Sequence, residues 1–136
     1  MSRFAICSFL LALTAAACSS APTTPTTNTP TAITDTYKGT IALNGAERFS
    51  FVTAVSGTTS ATLTSLTPSD AVVGLGLGSF TSSTGTCDVM LANDKATLGS
   101  LLQGQSDRAG NLCVRVYDST GTLAVPVSYT VQVVHY

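Results

Sequence analysis

The sequence predicts an all-β fold, an antiparallel β-sandwich or jelly roll of about eight strands. Beyond Asp35, apolar and polar residues alternate with a period of two in several short runs. Turn-forming residues separate these runs, and no segment has a convincing amphipathic helical pattern. This combination is typical of antiparallel sandwiches. The chain has 136 residues, which leaves room for one such domain, predicted over residues 37–136.

The first strands are marked by a turn dipeptide. The run Thr40–Leu43 leads into Asn44-Gly45, which predicts a tight hairpin turn. The strand expected to follow is marked by Phe49, Phe51 and Val55. Ala61 and Leu63 then lie on one face of a third strand, which the turn at residues 67–70 ends.

Three alternate glycines characterise the next strand. Val73, Leu75 and Leu77 alternate with Gly74, Gly76 and Gly78. The spacing is not that of a nucleotide-binding GxGxxG loop, and no helix follows to receive a phosphate. We therefore expect another backbone or side chain to approach the glycine face closely.

The second half of the domain contains four further segments. Residues 87–91 are predicted to form a strand, and Asn93-Asp94 a turn. Residues 96–102 are predicted to form a strand, although residues 96–103 could instead be helical, and residues 107–111 are predicted to form a loop.

The last two strands have the clearest alternation. In the first of them, Leu112, Val114 and Val116 are expected to face the core, and a turn at residues 118–121 follows. In the final strand, Val127, Tyr129, Val131, Val133 and His135 share one face, and the residues between them share the other.

Residues 1–17 are predicted to be a signal peptide. Arg3 precedes an apolar run at residues 4–13, and small residues precede Cys18. The apolar run is shorter than the roughly 20 residues of a transmembrane helix. Export to the cell envelope follows from this prediction.

The segment Leu13–Cys18 resembles the lipobox of bacterial lipoproteins. This resemblance implies cleavage before Cys18 and lipidation of its thiol, with palmitate among the acyl chains. The lipid would anchor the chain to a membrane, and the outer membrane or cell surface is the favoured location. Ala15 stands where leucine is usual, and the alternative is an ordinary cleavage site that happens to precede a cysteine. Residues 18–36 are predicted to be the lipidated cysteine and an extended Thr/Pro-rich linker.

Cys87 and Cys113 are the two cysteines of the predicted domain. Two thiols in an exported chain most simply form one disulfide. The competing interpretation is a metal site, but the pair lacks CxxC spacing and the chain has one histidine. No metal site and no cofactor are predicted.

The charge composition argues against nucleic acid as a partner. Lysine and arginine number 6 against 7 acidic residues, and tryptophan is absent. Such a chain has no basic excess for phosphates and few aromatic residues for stacking.

No catalytic residues are predicted, and the chain is not expected to be an enzyme. His135 is the single histidine, and a surface position at a strand end is expected for it. A small hydrolase, the least favoured alternative, would need His135 beside a carboxylate and a serine. Turn oxygens that could converge on calcium are those of Asp88, Asn93, Asp94, Asp107, Asn111 and Asp118.

The mature domain resembles the pre-peptidase C-terminal domain class of bacterial jelly-roll modules. The segments that carry this resemblance are residues 47–52, 59–66, 110–118 and 127–131, although the usual Asp-rich middle is here the Gly/Leu run at residues 72–80. The resemblance implies a non-enzymatic accessory or adhesion-type module that makes protein or glycan contacts. A carbohydrate-binding module is the alternative, and it would require Tyr37, Tyr117, Tyr129 or Tyr136 to cluster on one exposed face.

Overall fold

The computed structural model describes residues 29–136, which form eight β-strands. The strands are β1 (Ile33–Ile41), β2 (Ala46–Thr53), β3 (Gly57–Thr67), β4 (Val73–Thr81), β5 (Thr86–Ala96), β6 (Leu101–Ser106), β7 (Gly110–Tyr117) and β8 (Val127–His135). The predicted signal peptide, Cys18 and most of the predicted linker lie outside the described residues. Within residues 29–136, no helix is long and apolar enough to span a membrane.

The strands form two antiparallel four-stranded sheets that pack as a sandwich. Sheet A has the order β1-β8-β3-β6, and sheet B has the order β2-β7-β4-β5. This order is that of a jelly roll, in which consecutive strands mostly cross from one sheet to the other. The predicted fold class is confirmed.

The two ends of the sandwich carry different turns. The end that holds Ile33 and Tyr136, here called the proximal end, also carries the turns at residues 54–56, 82–85 and 107–109. The opposite, distal end carries the turns at residues 42–45, 68–72, 97–100 and 118–126. Strand β1 begins at Ile33, which pairs with His135, so the sheet starts four residues before the predicted domain boundary.

The Asn44-Gly45 turn is not a hairpin, contrary to the sequence prediction. Strand β1 pairs with β8 and β2 pairs with β7, so this turn carries the chain from sheet A to sheet B. Asn44 has a φ of 56°, a left-handed conformation that asparagine tolerates well. Asp118 holds the turn by accepting a hydrogen bond from the Asn44 amide at 3.0 Å. The dipeptide therefore specified the turn but not the strand pairing.

The predicted alternation of the strands is confirmed in the core. The core-facing residues of β7 and β8 lie between the sheets, and all of those in β8, including His135, are at most 3% exposed. Each fully buried Val or Leu side chain contributes about 1.5–3 kcal/mol through the removal of apolar surface from water. The side chains that form the core come from both sheets and include Ile41, Phe51, Leu63, Leu75, Val114, Val116, Val127 and Val131.

Three boundaries differ from the sequence prediction. Asn93 and Asp94 lie within β5, because this strand continues to Ala96, whose side chain is buried in the core. Residues 97–100 form a turn tied to β3 by the Gly99 amide, which donates to the Leu63 carbonyl, and β6 follows as a strand rather than a helix. Val55 lies in the bend after β2.

Thr59 carries a buried hydroxyl with no hydrogen-bond partner among the described residues. Its side chain is 4% exposed. Because an unsatisfied buried hydroxyl costs about 1–3 kcal/mol, we expect Thr59→Val to raise the free energy of unfolding by about 1 kcal/mol. The measurement is urea unfolding followed by circular dichroism.

Thr53→Val is the matched control for this prediction. Thr53 is equally buried, but its hydroxyl donates to the Gly110 carbonyl at 3.3 Å. The same substitution should therefore lower stability by about 1 kcal/mol. Equal effects of the two substitutions would contradict the assignment of Thr59 as the unsatisfied group.

Candidate functional site

The predicted disulfide is present and joins two strands that are not neighbours. Cys87 lies on β5 and Cys113 on β7, with β4 between them, and the sulfurs are 2.06 Å apart. Strands two positions apart in a flat sheet would be separated by about 9.6 Å. The Cα atoms of the two cysteines are only 5.8 Å apart, so the start of β5 bends over the outer face of β4.

Gly78 makes this bend possible. A Cβ atom at Gly78 would lie 1.9 Å from the Asp88 carbonyl oxygen of β5, a distance no side chain allows. A register shift in the pairing of β4 with β5 occurs at the same point, between Leu77 and Gly78. Because Gly78 has no side chain, the backbone of β5 can lie close enough to β4 for Cys87 to bond to Cys113.

The other two glycines of β4 are covered by side chains. A Cβ atom at Gly74 would lie 2.4 Å from the Tyr117 ring, and one at Gly76 would lie 2.9 Å from Val89. The expectation of close approach to the glycine face is confirmed, and the three positions have a packing role.

Tyr117 closes the distal part of this face. The Arg115 guanidinium lies 5.1 Å from the centroid of its ring, and its hydroxyl donates a hydrogen bond to Asp94. Desolvation and the Asp94 carboxylate together raise the pKa of Tyr117 to about 12, although Arg115 opposes this shift. The residue is thus fixed by its neighbours.

Tyr129 and Glu47 connect the two sheets. The buried Tyr129 hydroxyl of β8 donates a hydrogen bond to the Glu47 carboxylate of β2. Desolvation, followed by the interaction with Glu47, raises the pKa of Tyr129 far above its ordinary value. Gly39 allows this contact, because a Cβ atom there would lie 1.7 Å from Glu47 Oε2.

Tyr37 lies at the edge formed by β1 and β2. Its ring stacks on Phe49 at a centroid distance of 4.8 Å, and its hydroxyl donates to Asp35 Oδ2 at 3.1 Å. Desolvation and Asp35 raise the pKa of Tyr37 to about 12.

The tyrosines do not share an exposed face. Tyr129 is in the core, Tyr37 is at the β1–β2 edge, Tyr117 is on the outer face of sheet B, and Tyr136 lies beside Gly57 at the proximal end. The arrangement that would have favoured a carbohydrate-binding platform is therefore not found among them.

The raised tyrosine pKa values predict delayed ionisation in the folded chain. The neutral phenols of Tyr37, Tyr117 and Tyr129 are favoured by folding, so their stabilisation is complete below the unfolded pKa of about 10. It is lost as the pH rises through the folded values, about 12 for Tyr37 and Tyr117. Ultraviolet absorbance between these pH values should show fewer tyrosinates in the folded chain than in urea.

A control for this titration is Tyr117→Phe. The variant should lose one of the late-ionising groups and keep the others. Coincident titration curves for the folded and the urea-unfolded chain would contradict the prediction.

His135 is buried, and the prediction of a surface position was wrong. It is 3% exposed, because the final strand keeps its inward alternation to this residue. Its Nε2 lies 3.1 Å from Asp35 Oδ2, and the Phe51 ring is 5.0 Å away. Its Nδ1 is buried with no partner among the described residues. The structure thus brings a carboxylate to His135, but no serine hydroxyl within residues 29–136 hydrogen-bonds to the ring.

The turn oxygens considered for calcium are spread over the molecule. Asp107 is at the proximal end, and Asp118 is at the distal end, where its carboxylate accepts hydrogen bonds from the amides of Asn44 and Gly121. Within residues 29–136, no three His, Cys, Asp or Glu side chains are grouped in a way that could hold a metal ion.

The outer face of sheet A, here called the polar face, is mainly polar, with Val134 and Leu101 as its apolar residues. The pairing of the strands places Thr36, Gln132 and Thr62 in one row and Thr40 beside Ser128, whose hydroxyls are 2.9 Å apart. The other outward residues of β1, β8, β3 and β6 are Thr34, Lys38, Thr130, Val134, Thr58, Ser60, Thr64, Ser65, Thr67, Leu101, Gln103 and Gln105.

Lys38 is the single charged side chain of the polar face. The remaining hydroxyls and amides can both donate and accept hydrogen bonds without the desolvation cost of an ion. Such a face suits a neutral polar partner. The sequence shows threonines, serines and glutamines at alternate positions of these strands. The order of the strands was needed to show that they form one face.

No protein-family model matches the chain, and no curated protein matches it.

Proposed function

We propose that this protein is a non-enzymatic lipoprotein of the bacterial cell envelope whose polar face contacts a protein or glycan. The observation that carries the proposal is the polar face itself, which has many hydrogen-bonding groups and a single charge, Lys38. The resemblance to pre-peptidase C-terminal domains agrees with this role, since such modules are accessory units. The jelly-roll order of the strands is compatible with that resemblance.

The anchor in this proposal is Cys18. Its support is the lipobox-like Leu13–Cys18 segment and the signal-like residues before it. A lipidated Cys18 with several acyl chains would hold the chain on a membrane, because each buried methylene contributes about 0.8 kcal/mol. The disulfide agrees with an oxidising compartment.

The anchor is tested by intact-mass measurement of the protein purified from membranes. We expect a chain that begins at Cys18, carries acyl groups there and lacks two hydrogens because of the disulfide. A mature chain that begins elsewhere, or that has an unmodified Cys18 thiol, would remove the lipoprotein claim.

The contact surface is tested by photo-crosslinking in cells. A photoreactive amino acid at Thr36 or Gln132 samples the polar face, and the same amino acid at Ser50, exposed on the outer face of sheet B, is the control. We expect crosslinked partners from Thr36 and Gln132 and few from Ser50. Equal yields at all three positions would contradict the polar face as the contact surface.

A glycan partner is tested separately by pelleting the protein with purified cell-wall polysaccharide. We expect Thr36→Lys to reduce the bound fraction severalfold and Ser50→Lys to leave it unchanged. If the protein neither pellets with the polysaccharide nor forms crosslinks, the proposed contact function is wrong. The proposed lipid anchor at Cys18 is tested independently by the intact mass.

A further inference from the structure

The edge of sheet A formed by β6 lacks the charges, prolines and bulges with which proteins usually protect an exposed strand. Natural edges carry charges, prolines or bulges that discourage pairing with another strand. The other three edge strands are charged: β1 has Asp35 and Lys38, β2 has Glu47 and Arg48, and β5 has Asp88, Asp94 and Lys95. Strand β6, Leu101–Ser106, has no charge and no proline, and it pairs with β3 without a register shift.

An apolar crevice opens beside this edge, between the two sheets. Its volume is about 760 Å³, within the range of ligand-binding clefts. Leu77 and Leu112 line its inner part, and Met90, which is 75% exposed, lies at its rim on β5. The Leu91 side chain of β5 packs against Gly104 of β6, where a Cβ atom would lie 2.6 Å from Leu91 Cδ1.

Two polar groups in the crevice have no partner in the described part of the chain. Thr59 lines the crevice, and its buried hydroxyl makes no hydrogen bond. Arg108 lies at the proximal side of the crevice, which Asp107 also lines, and its guanidinium forms no ion pair with Asp107 or any other described carboxylate. A ligand with an acceptor and a negative charge would complement these groups.

We propose that β6 and the adjacent crevice bind an extended peptide strand of a partner protein. The strand adds to sheet A by main-chain hydrogen bonds to the free edge of β6, and apolar side chains at alternate positions enter the crevice. An acidic group of the peptide lies beside Arg108. This inference goes beyond the proposed function, since it concerns the edge of sheet A rather than its polar face and does not depend on the anchor.

The test uses the full chain carrying Cys18→Ser, which cannot be acylated at that position. The probe is a fluorescent eight-residue peptide with valine at alternate positions, threonine between them and a glutamate at one end, followed by fluorescence polarisation. Two further probes carry backbone N-methyl groups on one or the other set of alternate residues. We expect saturable binding, at least tenfold loss with one N-methylated set and little loss with the other, because only one set faces β6.

Protein variants locate the bound peptide. Ala109→Trp should fill the mouth of the crevice and weaken binding at least tenfold, whereas Ala92→Trp, exposed on β5 outside the crevice, should not. Arg108→Gln should weaken the glutamate probe by about fivefold and leave a glutamine-ended probe unchanged.

Several results would overturn the inference. These are the absence of saturable binding, equal loss with both N-methylated probes, and equal effects of Ala109→Trp and Ala92→Trp. Self-association of the chain that Ala109→Trp abolishes would instead assign the crevice to a second copy. Binding of a long-chain fatty acid that displaces no peptide would assign it to a lipid.

Discussion

Gly78→Ala is expected to lower the free energy of unfolding by more than about 3 kcal/mol. The added methyl group would lie 1.9 Å from the Asp88 carbonyl oxygen, and this oxygen belongs to backbone that pairs with β4. Backbone cannot rotate away as the end of a flexible side chain can. The start of β5 must therefore move outward, which also separates Cys87 from Cys113.

The measurement is urea unfolding of the purified variant together with a count of free thiols. Gly110→Ala is the matched control, because no atom lies within 4 Å of the position of its Cβ and its φ is not left-handed. We expect Gly110→Ala to change stability by less than about 0.5 kcal/mol. Similar stabilities and thiol counts for the two variants would show that β5 does not need the space at Gly78.

Removal of the disulfide is the second change with a large expected effect. The cysteines are 26 residues apart in sequence, and closing a loop of this length stabilises a protein by about 3.5 kcal/mol in the chain-entropy treatment. For a small domain this is a large part of the net stability. We expect the double variant Cys87→Ala, Cys113→Ala to unfold at a markedly lower urea concentration than the native chain.

The control for this prediction is urea unfolding of both proteins with and without a reductant that cleaves the disulfide. Native protein should fall to nearly the stability of the double variant when the disulfide is reduced, and the double variant should not respond. If the reduced and oxidised chains unfold at the same urea concentration, the disulfide does not stabilise the fold.

The two changes should be coupled. Because Gly78 serves the approach of β5 to the disulfide, Gly78→Ala should cost less stability in the cysteine-free background, where β5 is free to move outward. A double-mutant cycle measures this difference, which we expect to exceed about 1 kcal/mol. Strictly additive effects would indicate that Gly78 and the disulfide act independently.

The alternation of residues was enough to predict the strands of the core. In β7 the predicted inward residues Val114 and Val116 are buried and Leu112 is half-buried, and in β8 the alternate residues predicted to share a face are buried together, because the side-chain period of a strand is two. The pairing of Cys87 with Cys113 was predicted because the leader and the lipid-anchor predictions leave only these two cysteines in the domain. These features depend on local geometry or on counting.

Two of the errors occurred where a local turn signal was interpreted without knowledge of the strand pairing. Asn44-Gly45 forms a turn as expected, but the strands on either side enter different sheets. Asn93 and Asp94 favour turns in isolation, yet pairing with β4 keeps them within a strand, since Leu75 lies opposite Asn93. Tertiary pairing outweighed the propensity of single residues.

The sequence by itself determined the fold class, the inward faces of the strands and the disulfide, because each depends on a period of two or on the choice among few cysteines. Only the tertiary structure decided which strands are neighbours. That order brings Asp35 to His135, 100 residues away in sequence, assembles the polar face and leaves β6 at an open edge. The physical reason is that alternation fixes the side of a sheet that a residue faces, whereas its lateral neighbours depend on how all eight strands satisfy their backbone hydrogen bonds together.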